Sequence, residues 1–266
     1  MSEGVAWVPD HIDVELPSAA RVYDYLLGGG HNFAVDRAVG EKVLQALPQG
    51  RQIASSNRAF LRRAVLYMIK QGITQFLDLG SGIPTVGNVH EVAQEANPSC
   101  RVVYVDNDDV AVAHSQLILQ GNHNAAVVAA DFCQPATVLG APAVQRLLDI
   151  TKPLGLLMVA VFHFVPEEKD PCGVLAQYRD ALPANSLLAL SHLTADHAPA
   201  EMSAVVEAMK NSRDPMHFRS YDEVLAMFDG FQLVEPGLVD APKWRPDPSC
   251  YDAGSQGVYA GVGRKY

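Results

Sequence analysis

Phe76-Leu-Asp78-Leu-Gly80-Ser81-Gly82-Ile-Pro84-Thr85 joins a short strand-like run to a segment of helical character. Two glycines at such a join let the backbone turn sharply and approach a ligand closely, and the helix beyond offers free N–H groups. A glycine pair alone says little; its context says more. Asp106 closes the next strand-like run, with Asn107 beside it. A carboxylate about 20 residues past a glycine loop can accept hydrogen bonds from both hydroxyls of a ribose. Asp131-Phe132 closes a third run, where a carboxylate can accept from an adenine amino group and an aromatic ring can stack on the base. The spacing predicts a site for an adenosine-containing ligand.

Two residues separate the adenosine ligands. A dinucleotide fingerprint wants Gly or Ala at position 85, and Thr85 stands there. Asp78 precedes the first glycine by two positions; a carboxylate repels a pyrophosphate and favours a cationic amino acid end. S-adenosylmethionine is therefore expected over a nicotinamide cofactor. Arg58 could pair with the methionine carboxylate through its planar fork, while its neighbour Asn57 is equally readable as a helix N-cap. His163 follows a wholly apolar run, and ligands of doubly wound sheets sit beyond the carboxyl ends of strands. It is a candidate general base with a pKa near neutrality, or else a strand-end histidine satisfied by backbone. His192 is a weaker candidate of the same kind, and Arg62 and Arg63 read as a solvated face. The cysteines form no CxxC pair and the histidines no HxxxH pair, so no metal site is expected.

These residues need a frame that brings strand ends together. Strand-like runs fall at 74–79, 101–106, 125–129, 155–162, 185–193, 231–235 and 258–262. Between and after them, helical character appears at 86–96, 110–120, 143–150, 174–182, 200–211 and 221–228. Near-continuous apolar strands alternating with helices predict a parallel sheet covered on both faces. Ahead of it, helices are expected at 19–27, capped by Ser18, at 34–47, and from Asn57 to Gly72, with the triplet Gly28-Gly29-Gly30 between the first two. In the third, Phe60, Ala64 and Met68 form an apolar stripe at spacing four. Residues 1–72 are thus expected as a helical cap or lid, and 73–266 as the ligand-binding domain. Trp244-Arg245-Pro-Asp-Pro248 reads as a surface loop with one packed Trp.

The chain has 266 residues, with 20 Lys and Arg against 30 Asp and Glu and a net charge of −10. That balance disfavours a nucleic acid partner. The acidic first residues and the absence of a long apolar run predict no export signal, no membrane span and a cytoplasmic protein with reduced thiols.

Asp78-Leu-Gly-Ser-Gly82, Val-Tyr-Val-Asp106 and Ala-Asp131-Phe132 resemble the successive motifs of class I S-adenosylmethionine-dependent methyltransferases. Pro17-Ser-Ala-Ala-Arg-Val-Tyr-Asp-Tyr-Leu-Leu-Gly-Gly-Gly30, Asn32-Phe33, Asp36-Arg37, Asn57-Arg58-Ala-Phe60 and Ser191-His-Leu-Thr194 narrow the likeness. They resemble a family of S-adenosyl methyltransferases common in actinobacteria. Pro84 departs from the wider pattern, which often has a third glycine there. The resemblance implies a Rossmann-like class I methyltransferase fold with a seven-stranded, mostly parallel sheet whose last strand is antiparallel. It implies methyl transfer to a small-molecule acceptor. It also makes the N-terminal segment a lid that brings Tyr23 and Asn32 to the ligand, with Tyr23 and His163 as catalytic candidates. The rival reading is a non-catalytic protein that binds S-adenosylmethionine as a sensor or regulator.

Overall fold

A computed structural model describes residues 14–84, 87–247 and 255–266. Thr85, Pro248 and Cys250 lie outside these, as does the expected start of the helix at position 86. Three helices come first: α1 (Ala19–Leu26), α2 (Ala34–Ala46) and α3 (Gly50–Lys70). The sheet then alternates with helices: β1 (Gln75–Leu79), α4 (Val89–Ala96), β2 (Arg101–Asp106), α5 (Asp109–Ile118) and β3 (Ala125–Ala129). Short helices α6 (Pro135–Leu139) and α7 (Pro142–Leu147) lead to β4 (Gly155–Val159), α8 (Pro171–Ala181) and β5 (Leu187–Leu193). The chain closes with α9 (Pro199–Met209), α10 (Tyr221–Ala226), β6 (Phe231–Leu233), β7 (Val239–Asp240) and β8 (Val258–Lys265).

The first five strands are parallel, in the order β3-β2-β1-β4-β5. β8 adds antiparallel to β5, and both β6 and β7 pair antiparallel with β8. Among the described residues the sheet has eight strands where seven were expected. The extra one, β7, spans two residues paired with Ala260 and Tyr259; a run that short shows no period-two pattern and exists only through its partner. Alternate residues feed the two faces. Leu77, Leu79, Val103, Val105, Leu156 and Met158 enter one core layer, and Phe76, Val102, Tyr104, Leu157 and Ala189 the other. Burial on both faces is why these strands read as continuous apolar runs.

Helix α3 lies on the second layer through Phe60, Ala64 and Met68. Gly155 makes room for it: a Cβ there would stand 2.7 Å from Phe76 Cδ1 and 2.9 Å from Met68 Sδ. α3 starts at Gly50, one and a half to two turns before the expected Asn57. Ile53 and Ala54 extend the buried stripe in that direction, so Asn57 is an interior helical residue and caps nothing. Arg63 is not solvated as expected. It donates to Trp244 O at 2.8 Å and Ala241 O at 2.7 Å. That clamps the 241–244 segment while Trp244 packs edge-on against Phe60 and Tyr67. α2 packs along α9, and a buried Arg21–Asp36 ion pair at 2.9 Å ties α1 to α2.

Strand β4 ends at Val159, three residues before the expected Phe162. Ala160 adopts φ 57°, a conformation that turns an L-residue out of a strand, and Phe162–Phe164 form a 3-10 turn. Among the described residues no helix is long and apolar enough to cross a membrane, and no cluster could hold a metal ion. Cys100, Cys133 and Cys172 are free thiols.

Candidate active site

A cavity of about 470 Å³ opens at the carboxyl ends of β1, β2, β3 and β4, walled on its other sides by α1, α2, α3 and α9. Its floor is the glycine loop. Gly80 and Gly82 have φ +68° and +66°, which L-residues rarely adopt. A Cβ at Gly80 would also stand 2.2 Å from Val161 Cγ2. The N–H groups of Gly80 and Ser81 donate to Val105 O at 2.8 and 3.2 Å, so the loop folds back over the end of β2. The Ser81 hydroxyl is buried with no hydrogen-bond partner among the described residues.

Asp106 ends β2 beside that loop. One carboxylate oxygen accepts from Gly82 N at 2.7 Å and the other from Asp108 N at 2.8 Å. Burial still pushes its pKa up to about 6, against the pull of those two N–H groups. Each oxygen has a further lone pair, so the group can accept two more hydrogen bonds. Asp78 is 5% exposed and has no hydrogen-bond partner among the described residues. Burial drives its pKa up to about 7, opposed by the Arg58 guanidinium and helped by the Asp106 charge. Arg58 is half-buried, lines the same cavity and likewise has no hydrogen-bond partner among the described residues. A carboxyl and a guanidinium, neither hydrogen-bonded among the described residues, therefore line one cavity from β1 and from α3, the complement of an α-amino acid zwitterion.

Asn107, Asp131 and Phe132 also line the cavity. Asp131 uses one oxygen to accept from Cys133 N at 2.8 Å, and the Phe132 ring stands edge-on to Phe162 at 5.5 Å. Opposite them, a hydrogen-bond chain crosses from α1 to β5. Tyr23 Oη donates to Ala54 O at 3.0 Å and accepts from Asn57 Nδ2 at 3.1 Å. Asn57 Oδ1 accepts from Ser191 Oγ at 2.6 Å, and Ser191 Oγ accepts from Ala160 N at 2.9 Å. The Tyr23 proton is committed to a carbonyl and burial raises its pKa, which suits positioning better than proton transfer.

His163 is 2% exposed and lines the cavity from the β4 side. Its Nδ1 is buried with no hydrogen-bond partner among the described residues. The expected near-neutral pKa does not hold. Burial, then the neighbouring His192 and Arg219, push it well below the usual histidine value. His192 does not line the cavity. Its Nδ1 meets Leu193 O at 2.7 Å and its Nε2 meets Arg219 Nη1 at 2.9 Å; that pairing requires the Nδ1–H tautomer and leaves no nitrogen free.

Asn32 does not reach the cavity either. Its Nδ2 donates to Asp24 Oδ2 at 2.8 Å and Gly29 O at 2.9 Å, and its Oδ1 accepts from Arg37 Nη1 at 3.2 Å. Asn32 and Asp24 brace the turn after α1. The other twelve candidates line one cavity: Tyr23, Asn57, Arg58, Asp78, Gly80, Ser81, Gly82, Asn107, Asp106, Asp131, Phe132 and His163. The residues missed are Ser191, which links Asn57 to Ala160, and the apolar wall from α2 and α9. Ser191 stood in the Ser191-His-Leu-Thr194 motif, but its role was not legible because it depends on two partners far off in sequence. The wall residues looked like ordinary core positions.

The sequence matches the S-adenosyl methyltransferase family model over residues 5–266. The chain belongs to that family. S-adenosylmethionine is the cofactor this membership brings, and the pair Asp78 and Arg58, the open acceptor capacity of Asp106 and the glycine loop fit it. Two solved structures are closely similar. A DUF574 family protein from Streptomyces avermitilis is 38% identical with a TM-score of 0.92, covering 96% of this chain and 99% of that one. A proposed methyltransferase from Thermobifida fusca is 39% identical with a TM-score of 0.90, covering 97% and 98%. TehB from Haemophilus influenzae, 11% identical with a TM-score of 0.50 over 77% of this chain and 62% of that one, shares the fold. Among proteins of curated function, none matches.

Proposed function

We propose that this protein moves a methyl group from S-adenosylmethionine to a small-molecule acceptor, mainly by positioning, in the cytoplasm. The observation that carries the cofactor half is the pair Asp78 and Arg58, neither hydrogen-bonded among the described residues, lining one cavity beside the glycine loop. In this reading Asp78 takes the ammonium and Arg58 the carboxylate of the methionine moiety. Asp106 accepts from the ribose hydroxyls, and Asn107, Asp131 and Phe132 border the adenine. The bound cofactor supplies an electrophilic methyl on a sulfonium, whose bond electrons return to sulfur on transfer.

The chain's own residues set the geometry. Residues 1–72 act as the cap, with α1–α3 closing the cavity over the sheet and residues 73–266 binding the cofactor. The Tyr23–Asn57–Ser191 chain locks α1 and α3 to β5, so the roof cannot shift without breaking hydrogen bonds. Holding reactants in line is the large term in such a reaction, worth up to ~7–11 kcal/mol. His163 is uncharged at neutral pH and holds one free acceptor nitrogen. It takes the acceptor's proton as the methyl arrives, when that proton has become strongly acidic, and passes it to solvent. The charge balance of the chain argues for a small acceptor over nucleic acid.

The test has two steps. Calorimetry should show S-adenosylmethionine or S-adenosylhomocysteine binding, with no comparable binding of NAD or NADP. Incubation with methyl-labelled cofactor and a small-metabolite extract should then yield labelled product. Tighter nicotinamide binding refutes the cofactor assignment. Cofactor binding with no label transfer across broad extracts favours a sensor over an enzyme.

A further inference from the structure

The lining of the cavity is chemically divided between the sheet and the helices above it. β1, β2 and β3 lie on one side of the β1/β4 boundary and bring Asp78, Asp106 and Asp131 to the rim. β4 and β5 lie on the other side. The helices that roof the cavity line it differently. α2 and its C-terminal residue contribute Val43 and Leu47, the first turn of α3 contributes Ile53, and α9 contributes Met202, Val205 and Met209. Each of these is at least nine-tenths buried, and α2 and α9 put no polar side chain into the cavity. His163 lines the cavity from the end of β4, and no ring nitrogen of it has a hydrogen-bond partner among the described residues. A buried imidazole without partners is costly, and a bound molecule with one hydrogen-bonding group can meet the part of the ring that borders the cavity.

We propose that the half of the cavity under α2 and α9 takes an uncharged, largely apolar and aromatic acceptor, with one hydroxyl placed against His163. This rests on the methyltransferase reading and deepens it. Methionines suit this wall because their thioethers are polarizable, adapt to irregular shapes and make favourable contacts with aromatic rings. A formally charged acceptor is disfavoured. A carboxylate or phosphate here would be desolvated against Val, Leu, Ile and Met without a cationic partner from α2 or α9. Of the charged lining residues, Lys169 is exposed at the rim, where its charge acts on Cys133 next to Asp131 and Phe132, and Arg213 and Asp214 are drawn to the β2 side and to α1. Arg213 donates to Asn107 O at 2.7 Å and Asp214 accepts from Ala19 N at 2.9 Å. In the transfer, a lone pair of the acceptor oxygen forms the new O–CH3 bond as the S–CH3 bond breaks, and the hydroxyl proton goes to the His163 imidazole.

The experiment uses the whole protein saturated with S-adenosylhomocysteine, titrated in a calorimeter with 2-naphthol, 2-naphthoate and 2-naphthyl phosphate. Saturation is established first. Failure at that stage overturns the methyltransferase reading itself, and this inference with it. In the loaded protein, 2-naphthol should bind at least ~10-fold more tightly than either anion, because only the anions bring an unpaired charge into the apolar half. His163→Leu should weaken 2-naphthol by roughly 5- to 10-fold, the loss of one buried hydrogen bond, while still binding S-adenosylhomocysteine. Should His163→Leu fail to fold, His163→Gln keeps a hydrogen-bonding group and should retain most of the naphthol affinity. Anions binding as well as 2-naphthol, or no naphthol binding to the loaded protein, overturn the assignment of an uncharged apolar acceptor. Unchanged naphthol affinity in His163→Leu overturns the placement of the hydroxyl.

Discussion

Asp78 offers a sharp test because its ordinary behaviour and its behaviour here differ in sign. With a pKa of about 7, the carboxyl is ~10% ionised at pH 6 and half ionised at pH 7. A cationic ammonium needs the ionised form. The association constant for S-adenosylhomocysteine should therefore rise ~5-fold from pH 6 to pH 7, approaching tenfold per unit below that. It should flatten above pH ~8, where Asp78 is fully ionised. Binding at pH 6.5 should release protons, read as a heat that changes with the ionisation enthalpy of the buffer. Asp78→Asn should remove most of the rise and most of the proton release, leaving the smaller part that Asp106 contributes through its pKa of about 6. It should also cost ~1.5–3 kcal/mol at pH 7.5, the usual worth of a charged hydrogen bond. The same group sets a stability trend. Its folded pKa lies above its unfolded value, so between pH ~4 and ~7 the folded state binds more protons and stability falls as pH rises. Relative to the wild type, ligand-free Asp78→Asn should gain stability from pH 5 to pH 8, measured by urea unfolding. A wild-type affinity flat from pH 5.5 to 7, or the same slope in Asp78→Asn, refutes the ammonium assignment.

Other substitutions probe the rest of the site. Asp106→Ala should lose roughly ten- to hundredfold in S-adenosylhomocysteine affinity; an unchanged dissociation constant in folded protein removes Asp106 from the site. Gly80→Ala meets both a left-handed φ and a Cβ 2.2 Å from Val161 Cγ2. It should lower stability by ~1–3 kcal/mol and weaken the cofactor, as shown by urea unfolding and calorimetry. Asn57→Leu leaves the Tyr23 and Ser191 hydroxyls short of a partner. It should cost ~1–3 kcal/mol by urea unfolding, a loss absent if the chain from α1 to β5 is incidental.

What could be read along the chain was whatever rests on neighbours in sequence. The parallel strands were legible because burial on both faces makes them nearly continuous apolar runs, as at Phe76, Leu77 and Leu79 and from Gly155 onward. The glycine loop was legible because positive φ and close approach select a residue type locally. Asp78, Asp106 and Asp131 were legible because each stands at the end of such a strand, and parallel strands bring their ends to one rim. Tertiary contact decided the rest. β7 exists only as a partner of β8, and Asn57 became an interior link when the stripe of α3 proved to start at Gly50. Asn32 was drawn to Asp24 and away from the cavity, while Arg63 was drawn to the 241–244 segment. His163 kept its place but not its expected pKa, because a proton's affinity depends on the burial and charge around it. The imidazole is the same in any sequence; here Arg219, His192 and the loss of water set its charge, and only the folded chain brings them together.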